Sequence, residues 1–193
     1  GMGKFLLTYM LMKFWIVIGF VLLWFAMKYL ARILNIEKQY EKTKWLFFLN
    51  PLVLIEMFSN AHNDAWMMAP AILACSLVLM KSKKGHQWLM WVVALALLTI
   101  SASIKFATFA LIPIFCVLMA KQFVKKNVLV DVLAKYWPEL ASMLLFLPLF
   151  TNRSQQFHPW YLIWSLTFLP FIQTKLVRWF FIAFSISSLF RYL

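Results

Sequence analysis

The chain has 193 residues, of which 64% are hydrophobic and 13% are charged. Soluble domains carry about 25% charged residues, so the composition excludes a soluble fold and indicates a membrane protein. The net charge of +13 comes from short basic clusters between apolar runs, which is typical of loops beside anionic lipid and not of a nucleic-acid-binding face.

The cysteines and the first residues limit the class further. Cys75 and Cys116 each lie inside an apolar run, so we predict neither a disulfide framework nor a thiolate metal site. The chain opens with Gly1-Met2-Gly3 and shows no signal-peptide pattern. We interpret this opening as internal to a longer sequence, and we predict a single transmembrane domain over residues 1–193.

Apolar runs near the length of a membrane-crossing helix divide the chain. Such a helix needs about 20 residues, because each residue rises about 1.5 Å and the hydrocarbon core is about 30 Å thick. We therefore predict an all-α, polytopic transmembrane helix bundle with about eight passes, some of them short or kinked. In chain order, the predicted passes are residues 5–28, 45–58, 64–80, 88–100, 106–119 and 138–150, a run that follows Pro159-Trp160-Tyr161 and ends at Phe171, and a last run that follows Arg178.

Two segments of this series differ from a straight crossing helix. Asn50-Pro51 lies inside the second pass and predicts a kinked or tilted entry, because proline lacks the backbone N–H that a helix needs. Residues 128–136 are weakly amphipathic, so we predict that they lie along the membrane surface before Pro138 begins the sixth pass.

Basic residues indicate which connections face the cytoplasm. The Lys- and Arg-rich connections are residues 28–44, 81–84, 121–126 and 175–178. The other three connections are residues 59–63, 101–105 and 151–158. Because successive passes alternate in direction, these three connections share the non-cytoplasmic side. We predict that their polar residues converge on one pocket there.

The densest polar chemistry lies between Asn50 and Asp64. Glu56 is either a paired or protonated carboxyl group near a helix end or a substrate-facing group, since intramembrane carboxylates are rare. His62-Asn63-Asp64 is either a turn in which Asp64 caps the third helix or part of a binding site. A metal site would have to borrow Glu56 or His158 as a ligand, so we do not favour a metal ion and predict no cofactor.

Two cations and an aromatic cluster lie at the other predicted external connections. Lys105 either extends to the lipid headgroups or faces inward to hold a phosphate, and Arg153 offers a planar fork suited to phosphate oxygens. His158, Trp160 and Tyr161 form either an interfacial aromatic belt that anchors the seventh pass or part of a carbohydrate or isoprenoid groove.

Three blocks of sequence together resemble a known family. They are Asn50-Pro-Leu-Val-Leu-Ile-Glu56 leading into Asn60-Ala-His-Asn-Asp64, Ile104-Lys105 at the start of an apolar helix that contains Pro113, and Phe157-His-Pro-Trp-Tyr-Leu-Ile-Trp164. In this order they resemble the C-terminal half of GT-C type multi-pass glycosyltransferases. The greatest similarity is to the polyprenyl-phosphate-mannose-dependent alpha-1,6-mannosyltransferases of bacterial envelope assembly.

The resemblance implies an integral-membrane enzyme that moves a hexose, mannose in the similar enzymes, from a polyprenyl-phosphate donor to a glycan or lipid acceptor. It places the site on the non-cytoplasmic face of a bacterial plasma membrane. It implies that His62 and Asp64 shape the donor or acceptor site and that Lys105 contacts the donor phosphate.

The chain departs from the family at the catalytic base. Such enzymes use an acidic residue in the first external loop to deprotonate the acceptor hydroxyl. Here the acidic residues before Glu56 are Glu37 and Glu41, which lie among lysines on the predicted cytoplasmic side. We therefore predict that the chain is the C-terminal, donor-binding part of a longer enzyme, and Asp64 is the alternative base within it.

Two other functions fit the composition. One is a small-solute transporter or flippase-like protein, in which Glu56 and His62 relay protons or bind the solute. Transporters of this kind often contain inverted repeats, and no repeat relates the two halves of this sequence. The other is a non-catalytic membrane subunit whose polar loops bind a partner protein.

Overall fold

A computed structural model describes residues 2–81, 86–124, 126–150 and 158–192, and all regular secondary structure within these ranges is helical. The first helix, α1 (Met2–Ile33), is long because it contains no proline and only two glycines, Gly3 and Gly19. It ends where Asn35 adopts a left-handed backbone with φ of 56°. Asparagine is one of the few residues that tolerate this conformation at a helix end.

The predicted second pass is broken into short pieces. It is preceded by α2 (Glu37–Thr43) and consists of α3 (Trp45–Phe48), α4 (Pro51–Leu54) and a π-helical turn (Ile55–Ser59). The break falls at Asn50, whose side chain accepts a hydrogen bond of 3.0 Å from the Leu52 N–H and so caps α4. The kink that the sequence predicts is therefore a new helix start, because Pro51 cannot continue the preceding hydrogen bonds.

The centre of the fold is α5 (Asp64–Leu79), which packs against α1 on one side and α6 (Gln87–Ile104) on the other. The rings of Trp15 and Trp66 stack with centroids 4.0 Å apart, and the Tyr29 hydroxyl donates to Met80 Sδ at 3.4 Å. Both contacts occur in the same order along the two helices and are separated by the same number of residues in each, so α1 and α5 run parallel.

The chain reverses twice around α5. Because the Ser101 hydroxyl donates to the carbonyl of Met67 at 2.7 Å, the end of α6 lies beside the start of α5, and these two helices are antiparallel. Lys105 then adopts an extended backbone between α6 and a 3-10 turn (Phe106–Leu111), which continues into α7 (Ile112–Phe123). Lys105 is thereby held at the same end of the helices as Asp64.

The last third of the described chain is made of shorter helices. Helix α8 (Val128–Lys135) and the following segment Trp137–Phe150 are bent by 71° relative to each other, which agrees with the predicted change of direction near Pro138. The remaining elements are α9 (Trp137–Phe146), 3-10 turns at Leu147–Phe150, Pro159–Tyr161, Leu169–Phe171 and Leu189–Tyr192, α10 (Leu162–Leu166) and α11 (Lys175–Ser188).

Within the described ranges, three helical segments are long and apolar enough to cross a membrane: Gly3–Ile33, Gln87–Ile104 and Phe106–Phe123. The bent pair formed by α8 and Trp137–Phe150 is a fourth if it counts as one span. The other predicted passes form shorter or interrupted helices. The all-helical fold is confirmed, and the number of about eight passes remains a prediction.

Gly19 allows α1 to approach α5 closely. A Cβ added at Gly19 would lie 2.6 Å from Cδ1 of the Trp66 ring, whereas a Cβ at Gly3 would meet nothing within 4 Å. We expect Gly19→Ala to lower the free energy of unfolding by about 1–3 kcal/mol, because the Trp66 ring stacks on Trp15 and cannot retreat without moving that residue. Denaturant titration of the purified protein in detergent, with Gly3→Ala as the control, measures this difference. Equal stability of the two variants would contradict the packing of Trp66 on Gly19.

Candidate functional site

Glu56 is fully buried in the π-helical turn that ends the second predicted pass. Its Oε2 accepts a hydrogen bond of 2.8 Å from the Asn60 side-chain amide, and its Oε1 accepts one from the hydroxyl of Tyr192. Turns of this π type are frequent at functional sites, because the wider turn redirects side chains. The carboxyl group therefore lies inside the protein with two fixed partners.

Asp64 is the first residue of α5 and is also fully buried. Its Oδ1 accepts two hydrogen bonds of 2.6 Å, one from the Lys105 ammonium and one from the indole N–H of Trp164. The prediction that Asp64 caps this helix is wrong. The capping position is occupied by Asn63, which makes no side-chain capping bond. The Asp64 carboxylate cannot cap the helix, because it is held by Lys105 and Trp164 from distant parts of the chain.

The second carboxylate oxygen of Asp64 is buried and makes no hydrogen bond within the described structure. It lies 4.0 Å from Nδ1 of His62. A buried carboxylate oxygen that lacks a hydrogen bond is costly, so this atom is available to a ligand or to a proton.

His62 lies between the two carboxylates. Its Nε2 is 3.4 Å from Oε2 of Glu56, and its ring stacks on Trp160 with centroids 4.6 Å apart. Burial lowers the pKa of His62 below its ordinary value of 6.5, and Asp64 and Glu56 oppose this shift in part. The imidazole is therefore neutral at pH values near 7 and retains a nitrogen that accepts a proton.

Lys105 faces inward rather than extending to the lipid headgroups. Its side chain is 26% exposed, and its ammonium lies 5.8 Å from the centroid of the Trp164 ring as well as beside Asp64. An ammonium group has three N–H donors, and the bond to Asp64 uses one of them.

The predicted aromatic cluster packs against this site. The ring of His158 stacks on Trp160 with centroids 4.1 Å apart, and the ring of Tyr161 lies 4.9 Å from that of Trp164. Trp160 therefore contacts both His158 and His62, which joins the seventh predicted pass to the turn before α5. These contacts hold the aromatic rings inside the site, in addition to any role at the membrane surface.

The structure thus brings together most of the predicted site residues. Glu56, His62, Asp64 and Lys105 are connected by direct contacts, and His158, Trp160 and Tyr161 adjoin them. Asn63 is exposed and contributes its backbone carbonyl to the Trp66 N–H at 3.0 Å. Arg153 lies outside the described residues.

Sequence reasoning missed three partners of the carboxylates. Trp164 lies at the end of the aromatic block quoted for the family resemblance, and its spacing of three residues from Tyr161 places both on one helical face. Asn60 lies four residues after Glu56, which is also a helical spacing. No local signal identifies Tyr192, because its contact with Glu56 spans 136 residues of chain.

A lone lysine also belongs to this region. Lys13 lies inside the apolar run of α1 and donates hydrogen bonds to the backbone carbonyls of Phe58 and Ser59. These carbonyls end the π-helical turn, where a cation is favourable because carbonyl oxygens lack helical partners.

Within the described part of the chain, no group of three or more His, Cys, Asp or Glu residues is arranged to hold a metal ion. The absence of a cofactor remains a prediction.

Acidification is expected to destabilise the fold through His62. Because its pKa is lowered in the folded state, the unfolded chain binds the proton more readily. The contribution of His62 to stability is therefore complete above about pH 6.5 and is lost as the pH falls towards the folded-state pKa. Lys105 and His158 also face the ring and disfavour its protonation.

Thermal unfolding in detergent between about pH 8 and about pH 5 checks this expectation. His62→Asn should flatten the loss of stability on acidification, and substitution of the exposed His86 by Asn should leave the profile unchanged. A His62→Asn variant with the same pH profile as the unmodified protein would contradict the assignment.

The fold and the site together define a helical membrane protein with a buried cluster of acidic and basic side chains at one end of its central helices. Over residues 2–121, the sequence matches the family described as alpha-(1->6)-mannopyranosyltransferase, N-terminal domain. Because this match covers more than half of the chain, the chain belongs to that family and is a glycosyltransferase of the mannosyltransferase type. No match was found among curated proteins or among solved structures.

The family match confirms the relationship that the sequence motifs indicated. It covers residues 2–121 and so includes Glu56, His62, Asp64 and Lys105. The matched family is named for the N-terminal domain, whereas the motifs resembled the C-terminal half of such enzymes. That the chain is the C-terminal part of a longer enzyme remains a prediction.

Proposed function

We propose that the chain is a membrane glycosyltransferase, or the donor-binding part of one, that transfers mannose from a polyprenyl-phosphate donor to a glycan or lipid acceptor. The observation that carries the proposal is the ion pair between the buried Asp64 and the partly buried Lys105, which are 2.6 Å apart and adjoin the stacked rings of His62 and Trp160. The family match supports the sugar and the reaction class. The polyprenyl carrier and the acceptor follow from the motif resemblance.

Lys105 is the proposed contact for the donor phosphate. Asp64 and Trp164 fix its ammonium group, so little conformational entropy is lost when a phosphate binds to its remaining N–H donors. The attraction between ammonium and phosphate is stronger here than in water, because the surrounding side chains lower the local dielectric constant. Arg153 is proposed as a second cation for the same phosphate.

The transfer step makes and breaks one bond at the anomeric carbon of the sugar. The acceptor hydroxyl oxygen bonds to that carbon, the bond from the carbon to the carrier phosphate oxygen breaks, and the lipid phosphate leaves with the electron pair. Lys105 stabilises the negative charge that develops on this phosphate. The hydroxyl proton passes to a base.

The catalytic base completes the proposed site. We propose that it belongs to an acidic loop of the longer enzyme, with the hydrogen-bond-free oxygen of Asp64 as the alternative within this chain. His62 Nδ1 lies 4.0 Å from the same oxygen, so the imidazole adjoins this alternative base. Glu56, Asn63, His158, Trp160 and Tyr161 are proposed to shape the sugar and acceptor sites.

We further propose that the site faces the non-cytoplasmic side of a bacterial plasma membrane and that the chain crosses the membrane about eight times. Single cysteines at Ser59 and Lys38, introduced in a Cys116→Ser background, test the sidedness in intact cells. An impermeant thiol reagent should label Ser59→Cys and spare Lys38→Cys. Labelling of Lys38→Cys alone would reverse the orientation.

A binding and transfer assay tests the function itself. The purified chain in nanodiscs is offered polyprenyl-phosphate mannose or a nucleotide-linked mannose, and donor retention and sugar transfer to extracted envelope glycolipids are measured. We expect this chain to retain the polyprenyl-phosphate mannose and not the nucleotide-linked mannose. We expect sugar transfer from the proposed longer enzyme that carries the acidic loop. Failure to bind any polyprenyl phosphate would refute the proposal, and proton-coupled solute uptake into proteoliposomes that depends on Glu56 would favour the transporter alternative.

A further inference from the structure

A separate apolar groove lies between α1, α5 and α6. Its volume is about 680 Å³. It is lined by Leu22 and Phe25 of α1, Leu73 of α5 and Ile100 of α6. Phe25 is 56% exposed, so the groove opens on the outer surface of the helix bundle, where lipid surrounds a membrane protein.

Basic and hydroxyl side chains lie at one end of this groove. Lys28, Tyr29 and Arg32 come from the last turns of α1. The contact of the Tyr29 hydroxyl with Met80 places this end beside the end of α5, away from Asp64. Arg32 Nε lies 3.8 Å from a carboxylate oxygen of Glu37, which engages one edge of a guanidinium group that has five N–H donors.

Trp66 lies at the other end of the groove. Its indole stacks on the ring of Trp15 and donates a hydrogen bond of 3.0 Å to the carbonyl of that residue, so the ring is a fixed wall. The segment of α1 between Trp15 and Tyr29 measures roughly 20 Å at the usual helical rise. The groove is therefore elongated along the helices, apolar over most of its length and cationic at one end.

We propose that this groove binds an anionic phospholipid. Its acyl chain lies along Leu22, Phe25 and Leu73, and its headgroup phosphate lies beside Lys28 and Arg32. The charge pattern carries the assignment, because an apolar surface that ends in two cations complements a molecule with an apolar chain and a negatively charged head.

This inference does not depend on the proposed transfer reaction, and its test measures lipid binding directly. Delipidated protein in detergent is titrated with phosphatidylglycerol or with phosphatidylcholine, and the unfolding temperature is recorded. We expect phosphatidylglycerol to raise this temperature more than phosphatidylcholine does. Lys28→Gln combined with Arg32→Gln should weaken the phosphatidylglycerol response by roughly tenfold or more in apparent affinity.

The matched control removes the same charge from exposed lysines of the next helix, Lys38→Gln combined with Lys42→Gln, and should retain most of the response.

A second measurement uses phosphatidylglycerol with a photoreactive group in its acyl chain. Crosslinks should fall on peptides of α1 and α5 around Phe25 and Leu73. Crosslinks that avoid these peptides, equal responses to the two phospholipids, or preferential retention of a polyprenyl phosphate in the groove would overturn the proposal.

Discussion

Replacing Lys105 by methionine is expected to lower the free energy of unfolding by about 3 kcal/mol, because it leaves the carboxylate of Asp64 buried without its cation. Asp64→Asn should lower the free energy of unfolding by a smaller amount. The asparagine oxygen still accepts from Trp164, and the Lys105 side chain, which is 26% exposed, reaches water. The double variant Asp64→Asn with Lys105→Met should be more stable than Lys105→Met alone, since position 64 then carries no charge that needs a partner.

Denaturant titrations of the single and double variants in detergent provide the measurement. The surface pair of Lys121 and Asp131 offers a matched control, because these side chains are 44% and 46% exposed. Lys121→Met should change the free energy of unfolding by about 1 kcal/mol or less. Additive costs at Asp64 and Lys105 would show that the two side chains are not paired in the protein.

Replacing Glu56 by alanine is expected to lower the free energy of unfolding by about 2–3 kcal/mol, because it leaves a cavity at a fully buried position and removes the acceptor for the Tyr192 hydroxyl and the Asn60 amide. Glu56→Gln should cost less, because its amide oxygen still accepts from Tyr192. Its amide nitrogen then faces the Asn60 amide, so that side chain must rotate to present its oxygen. Tyr192→Phe should cost about 1.5–3 kcal/mol, the usual range for a hydrogen bond to a charged group.

The same titrations, arranged as a double-mutant cycle between Glu56→Gln and Tyr192→Phe, isolate this contact. Tyr136→Phe, at an exposed tyrosine between α8 and α9, serves as the control for loss of a tyrosine hydroxyl. No coupling energy between positions 56 and 192 would contradict the docking of the last turn on Glu56.

Composition and the length of the apolar runs were sufficient to predict an all-helical membrane fold. They were not sufficient to predict how each run folds. The run from Trp45 to Phe58 is apolar apart from Asn50 and Glu56, yet Pro51 and the capping side chain of Asn50 divide it into short pieces. Helix continuity depends on individual backbone hydrogen bonds, which average hydropathy does not record.

The residues of the candidate site could be predicted more completely than their partners. Intramembrane carboxylates and histidines are rare, so Glu56, His62 and Asp64 are conspicuous in the sequence. An aspartate before an apolar helix is equally compatible with a capping role, and the distinction depends on Lys105, which is 41 residues away. Because such long-range contacts leave no local pattern, the ion pair and the Tyr192 contact emerge only from the fold.

The most direct test of the account measures donor binding by the double variant Asp64→Asn with Lys105→Met, whose stability is expected to recover. The double variant in nanodiscs is compared with Lys121→Met for retention of polyprenyl-phosphate mannose and, within the proposed longer enzyme that carries the acidic loop, for mannose transfer. The account predicts that the double variant stays folded but retains at least tenfold less donor, because the phosphate contact is gone. A folded double variant that binds and transfers mannose like the unmodified protein would contradict it.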